Sequence, residues 1–213
     1  MNRNPKLNGQ VLNMLNTKYI IFSPGEGQPP VSQRNPGALG NAWFVNDIKW
    51  VKTADEEMAG LNAPNIGDTA VPAGSFNAAT TAIVRDNFKK DIGEFTPGKD
   101  SAAYVKLAKY GLNNISYKSK NSREGFAVFS DIYYPKEWKA FIDGKETPIV
   151  RTNYVLRGVK IPAGEHTIDF KFESESIKKG GIVAMISSLL LFGLAIAAIV
   201  AVFRKKDDTV LKS

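Results

Sequence analysis

FAVFSDIYYPKEWKAFIDGKETPIVRTNYVLRGVKIPAGEHTIDFKF, Phe126 to Phe172, decides the fold. Gly125 to Ile132 reads as a buried strand. Trp138 to Asp143 follows, closed by the Asp143-Gly144 turn signal into a strand over Thr147 to Arg151. Tyr154 to Ile161 is the next strand, then a Pro162-Ala163-Gly164 turn. His166 to Phe172 alternates with period two, placing Ile168, Phe170 and Phe172 on one face and Thr167, Asp169 and Lys171 on the other. Short strands separated by regular turns point to an antiparallel sandwich rather than a parallel sheet.

Upstream, Ala103 to Tyr110 and Asn114 to Ser119 read as two strands joined through Gly111. Further back the pattern is mixed. Val11 to Leu15 suits a helical turn, Lys18 to Phe22 a strand, and Ser23 to Gly40, rich in Gly, Pro, Gln and Asn, a loop. Ala42 to Lys52 reads as one strand. Thr53 with Glu56 is a capping-box pair opening a helix over Ala54 to Leu61. Asn62 to Ala79 returns to loop chemistry, Thr81 to Arg85 is strand-like, and Asp86 to Ser101 reads as turn and irregular structure.

Downstream, Ile182 to Phe203 reads IVAMISSLLLFGLAIAAIVAVF, without a charged residue. As a helix it spans roughly 33 Å, against a hydrocarbon core of about 30 Å. Ser187 and Ser188, its polar side chains, can return their hydroxyls to the preceding turn. Lys178 and Lys179 flank one end and Arg204, Lys205 and Lys206 the other, as expected of a transmembrane helix. Gly193 and Ala197 form a small-xxx-small pair that suits either close helix approach or lipid-facing filler. Basic residues near both ends leave the orientation undecided. The sheet, entering this segment within a few residues, is expected close to the bilayer surface. The N-terminal run MNRNPKLNGQVLNMLNTKYIIF lacks the charge and apolar pattern of a signal peptide. The soluble part is therefore expected either in the cytoplasm of a tail-anchored protein or in a fragment whose upstream spans are missing.

Composition narrows the chemistry. The 213 residues contain no cysteine, which excludes disulfides, thiolate metal sites and cysteine nucleophiles. The net charge of +7 comes from cations interleaved with acids along the whole chain, with no arginine-rich arm or recognition-helix pattern, so nucleic acid is not an expected partner. The single histidine, His166, has Asp131 or Asp143 as a conceivable acid-base partner, although a histidine at a strand start after a turn is usually structural. Neither a metal-ligand spacing nor a phosphate loop nor a nucleophile elbow is present, and no cofactor is expected. Trp43, Trp50, Tyr133, Tyr134 and Trp138 offer flat faces for sugar rings, with Asn153 and Arg157 as polar partners. The same aromatics equally suit a sandwich core or a membrane interface.

Five ordered motifs then carry a resemblance. They are S-[DE]-x-Y-Y-P at Ser130 to Pro135, Trp138, D-G-K at Asp143 to Lys145, R-x-N-Y-x-L-R at Arg151 to Arg157, and P-A-G-x-H at Pro162 to His166. The run Phe126 to Ser174 resembles the C-terminal extracytoplasmic region of the bacterial YfhO family, large multi-span membrane proteins regarded as glycosyltransferases of the lipid-linked-sugar type. LNMLNTKYII (Leu12 to Ile21) and ALGNAWFV (Ala38 to Val45) look like segments of the same family. In that family the acidic residue expected to act in sugar transfer lies in an early extracytoplasmic loop. This chain has no counterpart, so no catalytic residue is carried over.

The patterning gives a mainly β chain, an antiparallel, sandwich-like domain with a minor α/β N-terminal part and then one C-terminal transmembrane helix, and the resemblance implies that the domain is extracytoplasmic and the C-terminus cytoplasmic. The expected divisions are 1–100 and 101–176, packed as one domain, a span at 180–203 and a short cytoplasmic tail at 204–213. The expected location is the bacterial cytoplasmic membrane, and the expected role is support of glycosyl transfer to envelope glycans or lipids. A stand-alone anchored surface protein that binds glycan or protein is the alternative. Expected partners are the bilayer, upstream membrane helices of the same protein, and a glycan or lipid-linked sugar. Tyr133, Tyr134, Trp138, Arg151, Asn153 and Arg157 are the candidate glycan or phosphate contacts.

Overall fold

The computed structural model describes residues 7–65, 72–93 and 95–210, with 175, 178 and 200–210 described by backbone alone. Parts of the expected 62–79 loop and of the 204–213 tail, and the side chains of Lys178, Arg204, Lys205 and Lys206, therefore lie outside the described residues. The chain divides into two compact units after Phe172.

The first unit opens with α1 (Gly9–Met14), whose first-turn amides are capped by the Asn8 side chain. The hairpin β1 (Tyr19–Phe22) and β2 (Val31–Arg34) follows. Next come β3 (Ala42–Val45), β4 (Asp47–Val51), α2 (Ala54–Gly60) and β5 (Thr81–Arg85). At the start of α2, Thr53 Oγ1 accepts from Glu56 N at 3.1 Å, while the Glu56 carboxylate accepts from Lys52 N at 2.7 Å. That is the expected capping box, with its return bond one residue early. A 3₁₀ turn (Asp86–Phe88) and the short α3 (Lys89–Ile92) lead into the β-rich half. There the strands are β6 (Tyr104–Tyr110), β7 (Asn114–Asn121), β8 (Gly125–Ile132), β9 (Trp138–Ile142), β10 (Lys145–Thr147), β11 (Val150–Thr152), β12 (Leu156–Ile161) and β13 (Gly164–Phe172).

Two sheets carry the fold. One is five-stranded and antiparallel, in the order β10-β9-β13-β7-β6. The other is six-stranded, in the order β3-β8-β12-β11-β5-β4. Strand β8 explains how they pack. Its first five residues, Gly-Phe-Ala-Val-Phe, are all buried, because both faces of the strand meet a core. Ala127 and Phe129 face the five-stranded sheet and join Tyr117, Ala140, Ile168 and Phe170. Phe126 and Val128 face the other way, into a core shared with Met14, Ile83 and Leu61. The Phe129 ring packs edge-on against Tyr117 and Phe170 at centroid distances of 4.9 and 4.8 Å. The mainly β sandwich with a minor α/β N-terminal part is thus borne out. The α/β part is the parallel pair β4 and β5, with α2 between them in sequence.

Four local expectations need correction. The loop expected over Ser23 to Gly40 contains β2. Both faces of that strand are exposed, so no apolar alternation announces it. The strand expected over Ala42 to Lys52 breaks at Asn46, and its halves occupy opposite edges of the six-stranded sheet, β3 beside β8 and β4 beside β5. The sheet must therefore curl until its edges lie one residue apart in sequence. The strand expected over Thr147 to Arg151 divides at Pro148, which cannot donate to a ladder. Thr147 stays with the five-stranded sheet, and Val150 begins a strand of the other. Finally, Asp86 to Ser101 holds the 3₁₀ turn and α3 as well as irregular chain.

The second unit contains α4 (Glu175–Val210). Within it Lys179–Ile199 is, among the described residues, the one segment long and apolar enough to cross a membrane. Leu189, Leu190, Leu191, Phe192 and Leu194 are each about two-thirds exposed. A helix apolar all round without protein cover is suited to lipid.

Candidate functional site

The six candidate contact residues do not converge on one cleft. Arg151 is held by Glu57, a carboxylate on α2 that is 0% exposed. Arg151 Nη2 donates to Glu57 Oε2 at 2.7 Å, Tyr154 N donates to Oε1 at 2.8 Å, and Arg85 Nε lies 3.4 Å from Oε2. The Arg151 guanidinium also lies over the Tyr154 ring at 5.2 Å. A buried carboxylate is tolerable only with this density of partners.

Asn153 is 0% exposed and stands at φ +49°, in the left-handed region that asparagine tolerates better than most residues. Its Oδ1 accepts from Ile83 N and its own N donates to Ile83 O, both at 2.8 Å. The pair pins the β11–β12 turn to β5. Tyr154, also at positive φ, completes the turn.

Arg157 is 4% exposed. Its guanidinium lies over Trp138 at 4.5 Å and Phe170 at 5.3 Å, and its Nε donates to Ile132 O at 2.9 Å. Asp131 stands nearby, accepting from Tyr110 at 3.2 Å and Tyr117 at 3.1 Å. The approach is set by a β-bulge: Leu156 pairs with Ile132 but Arg157 pairs with Phe129, so Ser130 and Asp131 face no residue of β12. Burial, then the Asp131 charge, pushes the Tyr117 hydroxyl pKa up. The Asp131 charge comes first in raising that of Tyr110, and burial holds the Arg157 guanidinium down. Both tyrosines stay protonated donors at neutral pH.

Tyr133 is partly buried, packed edge-on against Phe88, and its backbone N donates to Val155 O at 2.7 Å. Tyr134 is 47% exposed. Of the tryptophans, Trp43 and Trp50 pack against the α-side core, with Trp43 Nε1 donating to Ala78 O at 2.8 Å, and Trp138 packs against the inter-sheet core.

His166 has Asp143 as its partner: Nδ1 to Oδ2 is 2.6 Å, while Nε2 lies 3.2 Å from Ala163 O. Asp131 lies with Tyr110, Tyr117 and Arg157 instead. Asp143 and Gly144 both take positive φ, +49° and +83°, as a two-residue hairpin turn requires. The histidine therefore ties that hairpin to the β12–β13 turn. Its hydrogen bond to Asp143 raises the His166 pKa above 6.5 and lowers that of Asp143 below 3.8. The raised histidine stabilises the fold fully below pH 6.5 and ceases to as pH rises through its folded pKa. The lowered carboxylate stabilises it above pH 3.8 and ceases to as pH falls through its own. Because Asp143 is exposed, the effect is that of a surface pair, about 1 kcal/mol or less. Melting temperature against pH should show wild type above His166→Gln between those limits, the curves converging on either side.

The sequence pattern did not single out Glu57, Tyr110 or Tyr117. Glu57 sits in the run Asp55-Glu56-Glu57, where sequence alone does not say which acid turns inward. Tyr117 could have been found as an inward-facing position of an alternating strand. Among the described residues no group of three or more metal-ligating acids and histidines assembles. An open apolar groove of about 570 Å³ lies between α1, α2 and the β11–β12 turn, lined by Val11, Leu15, Met58 and Tyr154 among others. Of the six candidates Asn153 lines it, while Tyr133, Tyr134, Trp138, Arg151 and Arg157 do not.

The model of the family described as bacterial membrane protein YfhO matches residues 74–184, just over half the chain and the whole of the motif-bearing stretch. Leu12 to Ile21 and Ala38 to Val45 precede the match. Neither the curated proteins nor the solved structures give a match. With a matched β-rich region that runs into an apolar helix of spanning length, the chain belongs to the YfhO family of bacterial membrane proteins.

Proposed function

We propose that this chain supplies an extracytoplasmic β-sandwich and a last membrane span, with a cytoplasmic C-terminus, to glycosyl transfer onto envelope glycans or lipids at the cytoplasmic membrane. It does so without contributing the reacting groups. What carries the reading is where the motif residues go. Ser130 and Asp131 form the bulge, Trp138 covers Arg157, and Asp143-Gly144 turns a hairpin. Arg151 neutralises Glu57, Asn153 pins β5, and His166 joins two turns. A motif set spent on architecture suits a scaffold beside a reaction centre supplied by other parts of the protein.

The glycan or lipid-phosphate contact narrows, on this reading, to Tyr134, flanked by Tyr133 and Trp138, because Arg151 is paired with Glu57, Asn153 is bonded to Ile83 and Arg157 is buried against Trp138 and Phe170. Two measurements test the proposal. The sequence is cysteine-free, so Lys145→Cys gives a single thiol. A membrane-impermeant maleimide should label it in intact spheroplasts, and labelling only after lysis would overturn the extracytoplasmic placement. Mass spectrometry of envelope glycans should show loss of a glycosyl decoration when the chain is deleted in frame, and a several-fold loss for Tyr134→Ala at normal abundance. Unchanged glycans after the deletion would overturn the role in transfer.

A further inference from the structure

The two ends of the sandwich differ in their turns. At one end lie the β6–β7 turn, the β8–β9 loop and Phe172, the last residue of β13. Phe172 N donates to Asn113 O at 2.9 Å, so the β6–β7 turn is bonded to the point where the chain leaves the sheet. Exposed apolar side chains gather here: Leu112 at 96%, Tyr110 at 61%, Ile132 at 57% and Tyr134 at 47%. Leu112, at a turn tip, gains nothing from the fold by being leucine. Exposed Lys109 and Lys136 accompany them. The other end is closed by Ser122-Arg123-Glu124, Asp143-Gly144 and Pro162-Ala163. Among the described residues no exposed large apolar side chain occupies those turns, the nearest being Tyr104 in β6 at 38%.

Chain length says what can meet the apolar end. From Phe172 to Glu175 is three residues, at most about 11 Å extended, and from Glu175 to Lys179 four helical residues, about 6 Å. Lys179 begins the apolar stretch suited to a membrane. The apolar end is thus tethered within reach of the headgroup region, where tyrosine is favoured and lysine meets anionic phosphate.

We propose that this end of the sandwich is a lipid-docking surface: Leu112 enters the boundary between headgroups and acyl chains, Tyr110 and Tyr134 lie among the headgroups, and Lys109 and Lys136 meet lipid phosphates. The proposal needs only the span, and holds whichever side of the membrane carries the domain and whatever the domain's role in glycosyl transfer.

The test reconstitutes the full chain in vesicles containing phosphatidylglycerol, with an environment-sensitive fluorophore on Leu112→Cys or, at the opposite end, on Lys145→Cys. The label at 112 should be blue-shifted and quenched several-fold more strongly by lipids carrying a shallow nitroxide than the label at 145. Water-like emission at 112, or equal quenching at both positions, would overturn the proposal. A blue shift without lipid quenching would also overturn it, since protein rather than lipid would then cover Leu112. Lys109→Glu combined with Lys136→Glu should weaken quenching at 112 several-fold, and unchanged quenching would overturn the role of the lysines.

Discussion

Arg151→Ala is expected to destabilise the soluble unit by about 3 kcal/mol, because it leaves a fully buried carboxylate without its closest counter-charge. Glu57 keeps the Tyr154 amide at 2.8 Å and Arg85 at 3.4 Å, which holds the loss to the lower end of what breaking a buried pair costs. Arg151→Lys should recover only part of the loss. A lysine retains the charge but neither the guanidinium's place over the Tyr154 ring nor the fixed direction of the Nη2 donor. The diagnostic variant is Glu57→Gln with Arg151→Ala. Removing the buried charge together with its partner should cost less than Arg151→Ala alone, a non-additivity that a surface contact residue would not show. Urea titration of the full chain in detergent, followed by tryptophan fluorescence, measures all four corners of the cycle. Equal stability of Arg151→Ala and wild type would remove Arg151 from the scaffold and return it to the surface as a ligand contact.

How much of this was legible depends on the kind of signal. Strand β13 was readable because its alternation matches a half-buried pleat, and β8 because two-sided burial leaves a continuous apolar run. The β9–β10 turn was readable because Asp-Gly suits two successive positive φ values. The break at Asn46 was not. Ala42 to Lys52 has strand chemistry throughout, and only tertiary pairing decides that its halves serve opposite edges of a curled sheet. The candidate residues illustrate the same limit. Sequence identified Arg151, Asn153 and Arg157 as candidate glycan or phosphate contacts, but their partners stand far away in the chain. Glu57 is 94 residues from Arg151, and Ile83 is 70 from Asn153. Nothing local distinguishes an arginine that awaits a phosphate from one already neutralised by a carboxylate in another element. The membrane segment was legible at once, since a long uncharged apolar stretch needs no partner to be recognised.

Arg157→Ala carries the second large effect, about 3–5 kcal/mol, and its size follows from the simultaneous removal of two cation–π contacts and a hydrogen bond. A desolvated guanidinium over an aromatic face contributes about 2 kcal/mol, and Arg157 lies over both Trp138 and Phe170. Its Nε bond to the Ile132 carbonyl is charge-assisted, worth about 1.5–3 kcal/mol, and the acceptor is left without that donor. The truncated side chain also leaves a void between the sheets, and Asp131, already accepting from two tyrosines, is deprived of the nearby positive charge. These effects overlap, so their sum is an upper bound. Arg157→Met restores volume without charge and should recover the packing share only. Arg157→Lys restores charge without the guanidinium's fixed donors and broad contact with the rings, and should recover less than a conservative exchange would suggest. Thermal melting of the full chain orders the variants, and Trp138, lying against the guanidinium, should shift its fluorescence in each. A ligand-contact arginine at the surface would behave otherwise: its alanine variant would melt within about 0.5 kcal/mol of wild type and reveal itself only when glycan is added. Both results cannot hold for a side chain 4% exposed, which is why this substitution separates scaffold from binding site more sharply than any exposed tyrosine could.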